Sequence, residues 1–278
     1  MISTITIQGL VTGDNTDYTI VKAKGFESPL LDSARYRNPG RHGATIVRNY
    51  WRERIIRLDY RIRAATKSDY ATRRKNLLSA LDLPRAGNIT LPFTTIDGRS
   101  LELHNVNLYA PHDGEFLPGY VTTGSLLVEL VSGDPLIYSQ TLNTQSVTPP
   151  VAGGITLPTT LPFSISLSGG STTITNTGKA ATSPILRIYG PATNAHLRNS
   201  TTGLELAIDS TIPAGSYVEI RANPYDSVLL NNLTNWLTYL DGDIWDVEPG
   251  SNIINFSSDD NHPDSYAEIS WRDAETSI

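Results

Sequence analysis

The clearest periodic signal in the chain runs from Ile56 to Ala64. There Ile56, Leu58, Tyr60, Ile62 and Ala64 alternate with Arg57, Asp59, Arg61 and Arg63. Period two with one apolar and one charged phase predicts a strand buried on a single face. Ile5 and Ile7 alternate with Thr4 and Thr6 ahead of a turn at Gln8-Gly9, and Tyr18–Lys22 predicts another strand. Helical spacing is convincing once. Ser68-Asp69 supplies a cap and an acidic first turn, Tyr70, Arg74, Leu77, Leu78 and Leu81 follow, and Pro84 and Gly87 end the helix. Asp97-Gly98-Arg99 predicts a hairpin turn. Beyond it the phase slips: Leu101 and Leu103 share one face, Val106 and Leu108 the other, which predicts a bulge near His104-Asn105. Leu126, Val128 and Leu130 give a closing strand before Asp134-Pro135 and Tyr138. Asp32–Gly43 has no period and holds Asn38-Pro39-Gly40, so it predicts an exposed loop.

Short alternating runs continue in the second half. Phe163, Ile165 and Leu167 alternate with serines; further strands are predicted at Leu186–Tyr189, Leu204–Ile208, Tyr217–Arg221 and Asn252–Phe256. The last strand turns Ala267, Ile269 and Trp271 inward, and Leu233–Leu240 predicts one helical turn. Strands this short, separated by Gly190-Pro191, Thr202-Gly203, Pro213-Ala214-Gly215 and Pro249-Gly250, predict a β-sandwich or jelly roll. From Pro135 to Gly178 there is no charged residue, and Pro149, Pro150, Pro158 and Pro162 punctuate the span. This predicts an uncharged linker at 139–162 between a first domain, 1–138, and a second, 163–278. The fold class is all-β with one helix in the first domain.

Charge separates the same two halves. Residues 1–140 carry 17 Lys/Arg against 14 Asp/Glu, a net of +3, and residues 141–278 carry 5 against 14, a net of −9. The overall charge of −6 argues against nucleic-acid recognition by the whole chain. With 278 residues there is room for two ordinary cores. The absence of cysteine excludes disulfides and thiolate chemistry and fits assembly in a reducing cytosol. Met1–Ile7 reads as a strand without a basic leader, and no apolar run reaches the ~18 residues of a membrane span.

No catalytic, cofactor or metal constellation emerges. The five histidines (His42, His104, His112, His196, His262) show no metal-ligand spacing, and phosphate-binding and nucleophile-elbow sequences are absent. Asp241-Gly242-Asp243-Ile244-Trp245-Asp246 lacks the register of a calcium loop and reads as an acidic turn. The acidic second domain offers no pair of carboxylates to prefer for glycoside hydrolysis. Trp271 falls on the apolar phase of its strand, whereas Trp236, Tyr239 and Trp245 lie in loop-like sequence and are candidate carbohydrate contacts. Arg35, Arg37, Arg41, Arg48, Arg52, Arg54, Arg57, Arg61 and Arg63 are opposed within their stretch only by Glu53 and Asp59. A solvated face is one reading. Because the guanidinium fork pairs with carboxylates and is enriched at interfaces, a subunit interface through Arg57, Arg61, Arg63, Arg37 and Arg41 is the other.

The order of these motifs resembles a known family. The first half carries Ile5-Thr6-Ile7-Gln8-Gly9, Pro39-Gly40-Arg41-His42-Gly43, the arginine-rich strand, the single helix, Asp97-Gly98-Arg99 and Asp134-Pro135. The second carries Asn176-Thr177-Gly178, Gly190-Pro191-Ala192-Thr193-Asn194, Asn199 with Thr202-Gly203, Pro213-Ala214-Gly215, Pro249-Gly250-Ser251-Asn252 and Trp271-Arg272. Over nearly its whole length the chain resembles the distal tail protein of siphovirus-type bacteriophages. The resemblance implies a structural, non-enzymatic virion protein of the tail tip, made in the host cytoplasm and using no cofactor. It implies a first domain that forms a homo-hexameric ring and a second that is a galectin-like β-sandwich. The ring would act as the baseplate hub, joining the tail tube protein to a tail-tip or fibre protein. Neither nucleic-acid recognition nor membrane insertion is implied. The alternative is a carbohydrate-binding, receptor-recognising protein that uses the second domain.

Overall fold

The computed structural model describes residues 2–37, 39–40, 42–81, 89–113, 122–150, 170–222 and 227–278. The chain divides into two units, one of residues 1–140 with 275–278, the other of residues 141–274. The first unit is therefore discontinuous in sequence: its chain returns after the second unit is complete.

The first unit contains β1 (Ile2–Ile7), β2 (Leu10–Gly13), β3 (Tyr18–Lys24), β4 (Leu31–Arg37), β5 (Ala44–Trp51), β6 (Arg54–Arg63), α1 (Lys67–Leu81), β7 (Ile89–Thr95), β8 (Ser100–Asp113), β9 (Thr123–Ser132) and β10 (Ile137–Ser139). An antiparallel sheet runs in the order β2-β1-β7-β8-β9-β6-β3, with β10 on β8. The alternation expected of β6 is realised: Ile56, Leu58, Tyr60 and Ile62 are buried, while Arg57, Arg61 and Arg63 are exposed on the other face. Tyr60 OH lies 3.2 Å from Thr12 Oγ1 on β2, near the opposite end of the strand order, so the sheet curls around one core. Among the described residues it stays open between β2 and β3.

Helix α1 caps that core with Tyr70, Leu77, Ala80 and Leu81. Its cap is Thr66 rather than the expected Ser68. Thr66 Oγ1 accepts the Asp69 amide at 3.1 Å, and the Asp69 carboxylate accepts the Ala65 amide at 3.3 Å, a reciprocal exchange that satisfies otherwise orphaned donors. Pro84 and Gly87, read as the helix stop, lie outside the described residues. The bulge expected in β8 is present: the β7–β8 register shifts between Leu91–Leu103 and Ile89–Val106, and Asn105 takes φ +53°. The shift keeps Leu101, Leu103 and Val106 all in the core.

The second unit contains β11 (Asn143–Val147), β12 (Ser171–Asn176), β13 (Ile185–Tyr189), β14 (Ala192–Asn199), β15 (Leu204–Ile212), β16 (Tyr217–Arg221), β17 (Ser227–Leu230), β18 (Thr234–Asn235), a 3-10 turn (Leu237–Tyr239), β19 (Leu240–Gly242), β20 (Gly250–Ser257) and β21 (Tyr266–Trp271). Two sheets, β11-β21-β13-β16-β17-β18 and β12-β20-β14-β15-β19, bury a single core between them. Leu186, Ile188, Val218 and Ile269 come from one sheet, Leu197, Ile208, Ile254 and Phe256 from the other. This is a β-sandwich, and with the first unit it makes the described residues all-β apart from one α-helix and the short 3-10 turn. Asn143–Val147, inside the segment read as a linker, is instead a strand paired with β21 from Asn143–Trp271 to Val147–Ala267. Its only buried side chain is Val147, so no apolar period announces it. The strand expected around Phe163 lies outside the described residues.

Candidate subunit interface

The stretch Asp32–Gly43, expected to be a loop, belongs to an antiparallel arm. Among the described strands, β4 and β5 pair only with each other, from Leu31–Trp51 to Arg37–Ala44, and the Arg52 amide donating to Leu30 O at 2.8 Å closes the base. Gly40 and Gly43 both adopt positive φ, which lets the chain reverse between the strands. Apart from half-buried Ser33, every residue of β4 and β5 is exposed. That includes Val47 at 64%, Tyr36 at 62%, Tyr50 at 58% and Ile46 at 55%. A two-stranded ribbon with no covered face is marginal in water, and burying four such side chains would contribute roughly 1.5–3 kcal/mol each. Arg35, Arg37 and Arg48 against Asp32 make the arm basic.

The arginines expected at an interface fall in two places. Arg57, Arg61 and Arg63 share the solvent face of β6, whereas Arg37 ends β4 on the arm. Arg41 lies outside the described residues. Arg57 is paired with Glu129 on β9 at 2.5 Å; Arg61 and Arg63 have no ion pair among the described residues. Lys22 and Lys24 on β3 extend the basic character of this face, and Asp59 interrupts it.

Arg54, part of the same run in sequence, has another role. It is almost fully buried, and its guanidinium donates to Gly25 O, Glu27 O, Pro135 O and Thr276 O at 2.5–3.0 Å. Burial lowers its pKa to about 10, against the opposing pull of Glu27 and Asp134, so it remains charged at neutral pH. It ties the base of the arm, the end of β9 and the returning chain into one knot. Nothing in its sequence context separates it from its exposed neighbours except its position on the apolar phase of β6.

In the second unit, Trp245 is buried, with its indole N–H 3.3 Å from Leu197 O, and cannot be a carbohydrate contact. Its place between β19 and β20 carries it into the sandwich although no period marks it. Trp236 is half-buried and meets exposed Tyr239 edge-on at 5.1 Å, with Leu233 86% exposed beside them in sequence. A feature not read from sequence is the ladder Tyr266–Tyr189–Tyr217 across β21, β13 and β16, with centroids 4.3 and 5.4 Å apart. Alongside it Arg187 bridges Glu219 at 2.7 Å and Glu268 at 3.3 Å. The rings face one another, so the ladder presents edges and hydroxyls rather than a flat platform.

The fold is similar to the crystal structure of the SPP1 Dit (gp 19.1) protein, described as a paradigm of the hub adsorption apparatus of phages infecting Gram-positive hosts. The TM-score is 0.69 at 15% identity, over 98% of each chain. This chain has the Dit fold. Lesser similarity extends to a chain of the phage P2 baseplate in its activated conformation with Ca, with TM-score 0.49, 13% identity and 100% of each chain covered. The corresponding Sr structure gives TM-score 0.47 and 13% identity, covering 99% and 98%. No family model matches the sequence, and no curated protein does. Resemblance motifs of the second half make structural hydrogen bonds here. Asn176 Oδ1 accepts the Gly178 amide at 3.0 Å, and Asn252 Oδ1 accepts from Asn199 Nδ2 at 3.1 Å in the buried end of the sandwich.

Proposed function

We propose that this chain is a structural tail-tip protein of a siphovirus-type bacteriophage, resident in the virion. Its first unit assembles with copies of itself into a ring, a hexamer by resemblance, that acts as the baseplate hub. The ring joins the tail tube protein to a tail-tip or fibre protein. The observation that carries this reading is the β4–β5 arm, an apolar and basic ribbon that the described residues of a single copy leave exposed. The shared fold with a hub protein over almost the whole chain supports it. The arm and the Arg57/Arg61/Arg63 face are the surfaces assigned to neighbours, whether copies of the chain or adjoining tail proteins.

Light scattering on the purified full chain, with negative-stain images of the same fractions, tests the proposal. Rings are expected. A chain that stays monomeric at every concentration, with its arm uncovered, would count against self-assembly. The carbohydrate-binding alternative now rests on Trp236 and Tyr239 alone. A glycan array comparing the full chain with its Trp236→Ala/Tyr239→Ala variant tests it, and binding abolished by that variant would favour it.

A further inference from the structure

The curled sheet of the first unit leaves a seam where β3 fails to meet the β1–β2 side. A groove of about 390 Å³ lies in it. Ile20, Val21 and Ala23 of β3 form one wall, and Ile2, Phe26 and Ile96 supply further apolar surface. Val21 and Ile96 are exposed, at 54% and 60%. Among the described residues β3 pairs with β6 on one side and with no strand on the other, so a row of backbone donors and acceptors borders the groove. Among the described lining residues, Asp14 and Glu27 are the acids and Lys22 is the cation. Hydrogen bonds from the backbone of Glu27 itself and of Gly25 hold the Glu27 carboxyl below its usual range, which fixes a negative charge there.

The arm has the complementary properties. Both of its outer edges are unpaired among the described strands, Ile46 and Val47 of β5 are exposed, and its charge is the opposite of the groove's. It leaves the body only a few residues beyond Glu27, yet its residues stay exposed, so it does not fill the groove of its own chain. We propose that the seam beside β3 receives the β4–β5 arm of a second copy of this chain, whose outer strand adds to the free edge of β3. Main-chain pairing provides the affinity and the apolar side chains set the register, as in other strand additions. Arm and seam are different surfaces, so the contact is heterologous, and its repetition around an axis generates a ring. This inference deepens the ring-subunit reading by naming the surface that accepts the arm.

The absence of native cysteine makes thiol cross-linking unambiguous. The double variant Val47→Cys/Ile96→Cys, treated with a short bismaleimide, is expected to give a ladder of covalent oligomers ending at the size of the native assembly. Separately, Val21→Glu/Ile96→Glu is expected to weaken self-association at least about tenfold while the unfolding midpoint stays put, both positions being exposed. If the wild-type chain assembles but the double-cysteine variant yields no intermolecular product and the glutamate variant assembles normally, the arm docks elsewhere and this inference is overturned while the ring reading stands. If the wild-type chain never assembles, the ring reading itself fails and the inference falls with it.

Discussion

Arg54 shows how one residue type serves two ends within nine positions of chain. Its exposed neighbours on β6 meet solvent; Arg54 meets four carbonyls and no carboxylate at hydrogen-bond distance. Replacing it with Met leaves those acceptors buried and unpaired, an expected loss of about 3–5 kcal/mol in the first unit. Arg54→Lys keeps the charge but not the fork and is expected to lose less. Urea unfolding of the full chain, followed through the transition of the first unit, measures both. In the second unit, burial alone would raise the Glu219 carboxyl, but the Arg187 and Arg221 guanidiniums outweigh it and hold it below its ordinary value of 4.5. A depressed carboxyl contributes stability that is present above its unfolded pKa and is lost as pH falls through the folded one. The sandwich is therefore expected to weaken on acidification below about pH 4.5, and Glu219→Gln to flatten that dependence at a cost near 1–2 kcal/mol at pH 7. Thermal melts at neutral pH and at about pH 3.5 distinguish the two behaviours.

At the scale of elements, period two in a sequence reports burial of one face, and it found β6, although β7, which buries Leu91, Phe93 and Thr95, and β14 were not read from it. Strand β6 was legible because Ile56, Leu58, Tyr60 and Ile62 are all in the core, and the bulge in β8 because Leu103 and Val106 break phase while both stay buried. The arm was not legible as strands because its side chains, Ser33 apart, are exposed on both faces, and β11 because it buries only Val147. The candidate interface was half legible for the same reason. Its arginines announce themselves, but Tyr36, Ile46, Val47 and Tyr50 become informative only once they are seen to lie outside every core. Substituting Tyr36, Val47 and Tyr50 with Ser is expected to abolish assembly while the monomer's unfolding free energy changes by no more than about 0.5 kcal/mol per site. Arg61→Glu/Arg63→Glu is expected to weaken assembly without unfolding the monomer. Size-exclusion chromatography with circular dichroism reads both effects, and unchanged ring formation in the arginine variant would remove that face from the interface.

At the scale of the molecule, the uneven charge of the two halves and the basic arm would make the proposed assembly a partly electrostatic event. Exposed charges are screened within about 8 Å at physiological ionic strength, so the association constant is expected to fall as salt rises. Sedimentation at low salt and at about 0.5 M would record it, and a flat response would assign the contact to apolar burial alone. The discontinuity of the first unit has a separate consequence, for synthesis. At ~5–20 residues per second, roughly 7–27 seconds of translation separate residue 140 from residue 275. Throughout that interval Arg54 can reach Gly25, Glu27 and Pro135 but not Thr276, and Phe26 O lacks the Ile278 amide that donates to it at 3.2 Å. Of the two units, the one begun first thus acquires Thr276 and Ile278 only after β21, the strand that joins β11 to β13 in the sandwich, has been made.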